Sequence, residues 1–114
     1  MSCLFESLAP SIGGITAAHL RSRICDYLEQ RGALFEDSDF AVDAEYVAEM
    51  RRASTFGGAI EIAACANLYG IRVVVKNERD GTSDIVFEPL NRMPRRVLFI
   101  GWSGNHYEPV QERV

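Results

Sequence analysis

Apolar positions recur at helical spacing through the first half of this chain and give way to short β-branched runs in the second. A first helix is expected from about Cys3 to Leu8, with Ser2 as its N-cap and with Pro10 and Gly13-Gly14 ending it. A second starts near Thr16 and carries Leu20, Ile24, Tyr27 and Leu28 on one face, and Gly32 suits its C′ position. Asp43 suits the cap of a third helix bearing Tyr46, Val47 and Met50. A fourth is expected from about Gly58 to Tyr69, with Ile60, Ala63, Ala64, Asn67 and Leu68 on one side and Gly70 closing it.

Beyond Gly70 the residue types favour strands. Ile71–Lys76 is rich in β-branched side chains, Arg79-Asp80-Gly81-Thr82 supplies a turn, and Asp84–Glu88 reads as a second strand. After a loop at Asn91-Arg92-Met93-Pro94, Arg96–Trp102 forms a third strand. Ser103-Gly104-Asn105 turns the chain back into a short final strand, His106–Val110. Helices first and an antiparallel meander afterwards indicate an α+β fold, with N-terminal helices packed on a small, mainly antiparallel sheet.

Composition narrows the picture. With 114 residues, 47% of them hydrophobic and 25% charged, the chain suits a single domain over 1–114 whose core needs no metal or disulfide staple. The longest apolar stretches, Val73-Val74-Val75 and Val97-Leu98-Phe99-Ile100, are far shorter than the roughly 20 residues of a membrane span. No basic segment followed by an apolar one marks a signal peptide, so the cytoplasm or a similar reducing compartment is expected. Three widely spaced cysteines, Cys3, Cys25 and Cys65, form neither a disulfide framework nor a zinc motif. The net charge is −4, and apart from Arg51-Arg52 and Arg95-Arg96 the arginines are scattered, which does not support nucleic-acid binding.

Candidate nucleophiles and bases are few. A reactive thiolate needs a helix N-terminus or a nearby imidazole to favour its charge. Cys3 opens the first predicted helix and so has the first device, whereas Cys25 and Cys65 lie inside helices and read as buried core residues. The histidines are His19 and His106. His106 stands where a glycine turn enters a strand, which suits either projection into a cleft or an ordinary turn residue. Glu108, two residues on, shares its strand face and would orient the imidazole; alone it reads equally as a solvated surface carboxylate. His19 reads as structural or surface. Trp102 either lines a cleft beside His106 or packs in the core, and Asn105 either bonds substrate or favours the turn. Glu61, in the first turn of the fourth helix, suits the macrodipole and needs no catalytic role.

Read in order, Cys3-Leu4-Phe5 opening a helix, His19-Leu20-Arg21, Phe56-Gly57-Gly58 with Glu61, and His106-Tyr107 resemble the OTU (ovarian tumour) family of papain-like cysteine proteases. The resemblance runs from Cys3 to Val110. It implies a thiol hydrolase working through an acyl-enzyme, without cofactor or metal, on the isopeptide bonds of ubiquitin or a ubiquitin-like modifier. Cys3 would be the nucleophile, His106 the general base and Glu108 its orienting carboxylate. Ser2, Phe56, Gly57, Trp102 and Asn105 would line the substrate site, with Phe56 where relatives carry tryptophan. A monomer acting on protein conjugates, away from membranes and nucleic acid, is expected. Relatives carry Asp-Gly-Asn or Asp-Gly-Asp before the cysteine, whereas here only Met1-Ser2 precede it. That departure implies a trimmed domain or a minimal form with reduced activity, since losing one oxyanion donor costs about 10²–10³ in kcat. Two alternatives remain: an inactive OTU-like module that binds ubiquitin or another protein, and a viral or phage-type protease that processes its own polyprotein.

Overall fold

The structure is a computed structural model that describes residues 3–31, 43–77, 83–90, 92–104 and 106–109. Within them the chain forms α1 (Cys3–Ile12), α2 (Ala17–Arg31), α3 (Ala44–Met50), α4 (Ala59–Tyr69), β1 (Arg72–Asn77), β2 (Ile85–Phe87), β3 (Val97–Trp102) and β4 (Tyr107–Pro109). The expected Gly32 cap and the 79–82 turn lie outside the described residues.

The helix starts follow the sequence. Thr16 Oγ1 accepts the His19 N–H at 3.1 Å, and Asp43 Oδ1 accepts the Tyr46 N–H at 2.8 Å, each satisfying an amide that the helix leaves unpaired. Leu20, Ile24 and Leu28 are buried along α2, and Val47 and Met50 along α3. Two expectations need correction. Helix α1 continues through Pro10 to Ile12 rather than ending near Leu8. In the last turn proline's missing N–H removes one bond, while Gly13 N–H still reaches Ala9 O at 2.9 Å and closes the helix. Helix α4 is not buried on one side only: Ile60, Glu61, Ile62, Ala64, Cys65 and Ala66 are all buried, because it packs on α2 and against β1 and β2. Gly70 ends it at φ 66°, a left-handed conformation that disfavours a Cβ.

The strands form a mixed sheet in the order β2-β1-β3-β4. The outer pairings are antiparallel, but β1 and β3 run parallel from Arg72↔Val97 to Asn77↔Trp102, so the expected simple meander is corrected. The cause lies in the return from β2. Arg95 N–H bonds Gly70 O at 2.9 Å and Arg72 N–H bonds Arg96 O at 3.0 Å, which brings the chain back to the start of β1 before β3 begins. On one face Val73, Val75, Leu98 and Ile100 are buried beneath the helices, while Val74, Val86 and Phe99 between them lie on the more open face. Helix α1 lies along β3 and β4. Its last turn is tied to the start of β3, where Arg96 Nη2 donates to Ser11 O. Its first residue, Cys3, therefore points to the opposite end, where β3 turns into β4.

Candidate active site

Cys3 is the first residue of α1 and is 9% exposed. The helix is held by Leu4, Phe5 and Leu8, all fully buried, and the Cys3 carbonyl accepts a 2.7 Å bond from Ser7 Oγ. At this end of a helix the unpaired N–H groups favour an anion, whether a thiolate or a developing oxyanion.

The segment between α3 and α4 packs on that first turn. A Cβ added at Gly57 would stand 2.8 Å from Leu4 Cδ2 and 3.1 Å from Phe5 Cε2, so the Gly57 backbone lies close against the first turn of α1 and a larger residue would have to push those side chains aside. Two buried charged groups hold it there. Arg21 donates to Met50 O at 2.7 Å, Thr55 O at 2.7 Å and Ala53 O at 3.4 Å, and its guanidinium lies 4.4 Å from the centre of the Phe5 ring. Glu61 accepts the Gly58 N–H at 2.7 Å and the Tyr46 hydroxyl at 2.5 Å, joining the start of α4 to α3. Burial raises the Glu61 pKa above its ordinary value, while its bonds from Tyr46 and Gly58 pull it back. Glu61 thus does more than complement a helix dipole. Its burial beside a glycine-rich loop is the part that spacing alone does not reveal.

The other wall comes from β4. Strand pairing sets Trp102 opposite Tyr107 and Gly101 opposite Glu108. The Trp102 and Tyr107 rings lie 4.6 Å apart, tilted by 42°, and both pack against the core. Trp102 is partly buried. Burial raises the pKa of the Tyr107 phenol. His106 is exposed and immediately precedes β4, and Ser103 N–H closes the turn on its carbonyl at 3.1 Å. Tyr107 packs against the core and Glu108 is half-buried. Among the described residues no hydrogen bond joins Cys3, His106 and Glu108, so packing of α1 against β4 holds these elements together rather than a preformed triad.

The remaining candidates fall as follows. Ser2 and Asn105 lie outside the described residues. His19 is exposed on α2. Cys25 and Cys65 are fully buried; burial raises both thiols, Cys65 to about 12. Phe56 is 69% exposed and borders a groove of about 430 Å³ with Tyr46, Met50, Gly57 and Ile60. Sequence reasoning quoted Arg21 and Tyr107 only as parts of words, and Tyr46 only as a helix face residue. Their signal was adjacency to better-known positions, and their contacts are long-range. Among the described residues no cluster of three His, Cys, Asp or Glu is arranged to hold a metal, and no helix is long and apolar enough to cross a membrane.

Residues 2–107 match the family described as OTU-like cysteine protease. The chain belongs to that family. It is 30% identical to the ubiquitin thioesterase OTU1 of Xenopus laevis over 98% of its own length and 38% of the relative's. It is 28% identical to the Gallus gallus protein of the same name, over 99% of its length and 39% of the relative's. The chain thus spans about two-fifths of these relatives. Among solved structures it resembles the OTUD1 OTU domain (TM-score 0.80, 16% identity, 96% of this chain and 79% of that one). It also resembles an OTU domain in complex with ubiquitin (TM-score 0.77, 22% identity, 95% and 62%). A third match is the OTU deubiquitinase of Wolbachia pipientis wMel bound to ubiquitin (TM-score 0.68, 19% identity, 97% and 90%). These likenesses establish the OTU fold, with its helices on a small mixed sheet.

Proposed function

We propose that this chain is a thiol-dependent hydrolase that cleaves (iso)peptide bonds formed by the C-terminus of ubiquitin or a ubiquitin-like modifier. The observation that carries the reading is the meeting of two elements at one end of the sheet. There α1, which Cys3 opens, packs against β4, which His106 immediately precedes. Family membership and the ubiquitin-bound neighbours support the substrate class.

In this reading His106 takes the Cys3 proton and the thiolate sulfur attacks the carbonyl carbon of the modifier's last residue. The oxyanion that forms lies at the start of α1, where backbone N–H groups favour it. The C–N bond then breaks as His106 returns the proton to the departing amine, leaving a thioester on Cys3. Water, giving its proton to His106, attacks the thioester, and the modifier's carboxylate and the Cys3 thiolate separate. Glu108 orients the imidazole, and Ser2, Phe56, Gly57, Trp102 and Asn105 border the substrate. His106 and Glu108 close onto Cys3 when substrate fills the site, since hydrogen bonds of this kind tighten in the Michaelis complex. The free thiols suit a reducing compartment such as the cytoplasm.

The test is labelling by ubiquitin carrying a C-terminal electrophile. Wild type is expected to form a covalent adduct at Cys3; Cys3→Ala forms none, and His106→Ala forms it far more slowly. A chain that binds ubiquitin saturably but never forms the adduct, and cleaves no conjugate, is a binding module, and the hydrolase reading then fails.

A further inference from the structure

The chain carries a net charge of −4, yet three exposed arginines among the described residues, none in an ion pair, gather at one end of the fold. Among the described residues Arg51, Arg52, Arg72 and Lys76 each face a carboxylate, and Arg21 is buried on backbone carbonyls. Arg23, Arg92, Arg95 and Arg96 are exposed and have no carboxylate partner among those residues. Arg23, Arg92 and Arg95 converge on the junction of α4 and β1, and Arg96 follows on the same return segment. Arg23 lies 5.3 Å from the centre of the Tyr69 ring, and Arg95 Nε donates to Tyr69 O at 2.9 Å. Arg92 donates to Asn67 O, and its guanidinium is so close to Gly70 that a Cβ there would stand 2.8 Å from Cζ. Arg96 donates to Ser11 O at the end of α1. On the same return segment Met93 is 86% and Leu90 54% exposed.

Three of these guanidiniums are anchored by one N–H on a carbonyl at a helix C-terminus, which leaves their other donors free. Anchoring lowers the entropy lost when a ligand binds. A set of fixed planar forks suits carboxylates, which they can grip with two hydrogen bonds each. Exposed methionine among arginines is the composition of a protein interface. Single-stranded nucleic acid would want free aromatic platforms, but the Tyr69 ring is covered by Arg23.

We propose that this end of the molecule binds an acidic segment of a partner protein, its carboxylates on Arg23, Arg92 and Arg95 and an apolar side chain against Leu90 and Met93. The surface lies at the start of β3, about 20 Å along the strand from the end that bears Cys3 and His106. It is therefore separate from the hydrolytic site.

The experiment is a fluorescence-anisotropy titration of the full chain into a labelled Asp/Glu-rich peptide containing two leucines. A peptide with Asn/Gln in place of the acids, phosphatidylserine vesicles and a single-stranded RNA serve as comparisons. Saturable binding that weakens with salt, is lost with the amide peptide, and falls about tenfold or more in Arg23→Glu and in Met93→Asp supports the proposal. Both variants alter exposed side chains without a described hydrogen bond, so folding is kept, and ubiquitin-probe labelling of Cys3 should be unchanged in each. Equal binding to the amide peptide, an unaltered affinity in both variants, or tighter binding to the vesicles or the RNA overturns it.

Discussion

Replacing Gly57 with alanine adds one methyl group at the contact that seats the first turn of α1. The new Cβ would lie 2.8 Å from Leu4 Cδ2 and 3.1 and 3.2 Å from two Phe5 ring carbons. Comfortable carbon–carbon contact is about 3.5–4.0 Å, so the shortfall is several tenths of an ångström on three atoms at once. Leu4 and Phe5 are both fully buried, and Phe5 is further pinned under the Arg21 guanidinium, so neither can swing aside cheaply. Overpacking of this kind costs about 1–3 kcal/mol. In a domain of this size each kcal/mol lowers Tm by about 4 °C or more. The displacement falls on the helix turn that carries Cys3, so slower probe labelling should accompany the lost stability. Gly58→Ala is the matched control. A Cβ at Gly58 meets nothing within 4 Å, and the change should cost only the modest N-cap preference of glycine over alanine, about 0.5–1 kcal/mol. Urea unfolding, calorimetry and probe labelling of the three proteins decide the matter. If Gly57→Ala matches Gly58→Ala in both stability and labelling, the close packing of the 56–58 segment on α1 is refuted.

Three further outcomes are expected. Arg21→Ala should lower stability by about 3–5 kcal/mol in urea unfolding, because it strips hydrogen bonds from buried carbonyls and uncovers Phe5; a loss below 1 kcal/mol would contradict its role as a clamp. Because the folded state raises the Glu61 pKa, the protonated form is favoured on folding, so its contribution is complete below the unfolded value of about 4.5 and fades as pH rises through the higher folded value. Unfolding measured across a pH series should show that decline in wild type and a flatter profile in Glu61→Gln; a steeper profile in the variant refutes the sign. Native alkylation followed by peptide mapping should modify Cys3 while leaving Cys25 and Cys65 intact, since both are fully buried with raised pKa values; first modification at Cys65 would undo the assignment.

Much of this protein was legible before folding because it rests on local physics. Periodicity located all four helices and four strands, and Asp43 and Thr16 marked helix starts because a cap depends on neighbours three residues away. Order of short words was enough for the family, since Cys3, Phe56-Gly57-Gly58 and His106 lie on separate elements joined in one sequence. The misreadings were of range. Pro10 looked like a terminus because its ring and missing N–H act locally, but the helix tolerates the loss of one bond in its final turn. The strands read as a meander because periodicity carries no information about which neighbours pair.

By itself, then, the sequence determined the elements, the caps at Asp43 and Gly70, the family and the short list of candidate reactive side chains, all of which follow from residue type and near spacing. Only the tertiary structure decided that β3 lies parallel to β1, that Glu61 and Arg21 are buried clamps on the loop against the first turn of α1, and that Arg23, Arg92 and Arg95, scattered in sequence, meet around Tyr69 and Gly70. The physical reason is shared. Each of these depends on groups distant in sequence meeting across packed layers, where burial and hydrogen bonding change what a side chain does, and no pattern of residue types along the chain records that meeting.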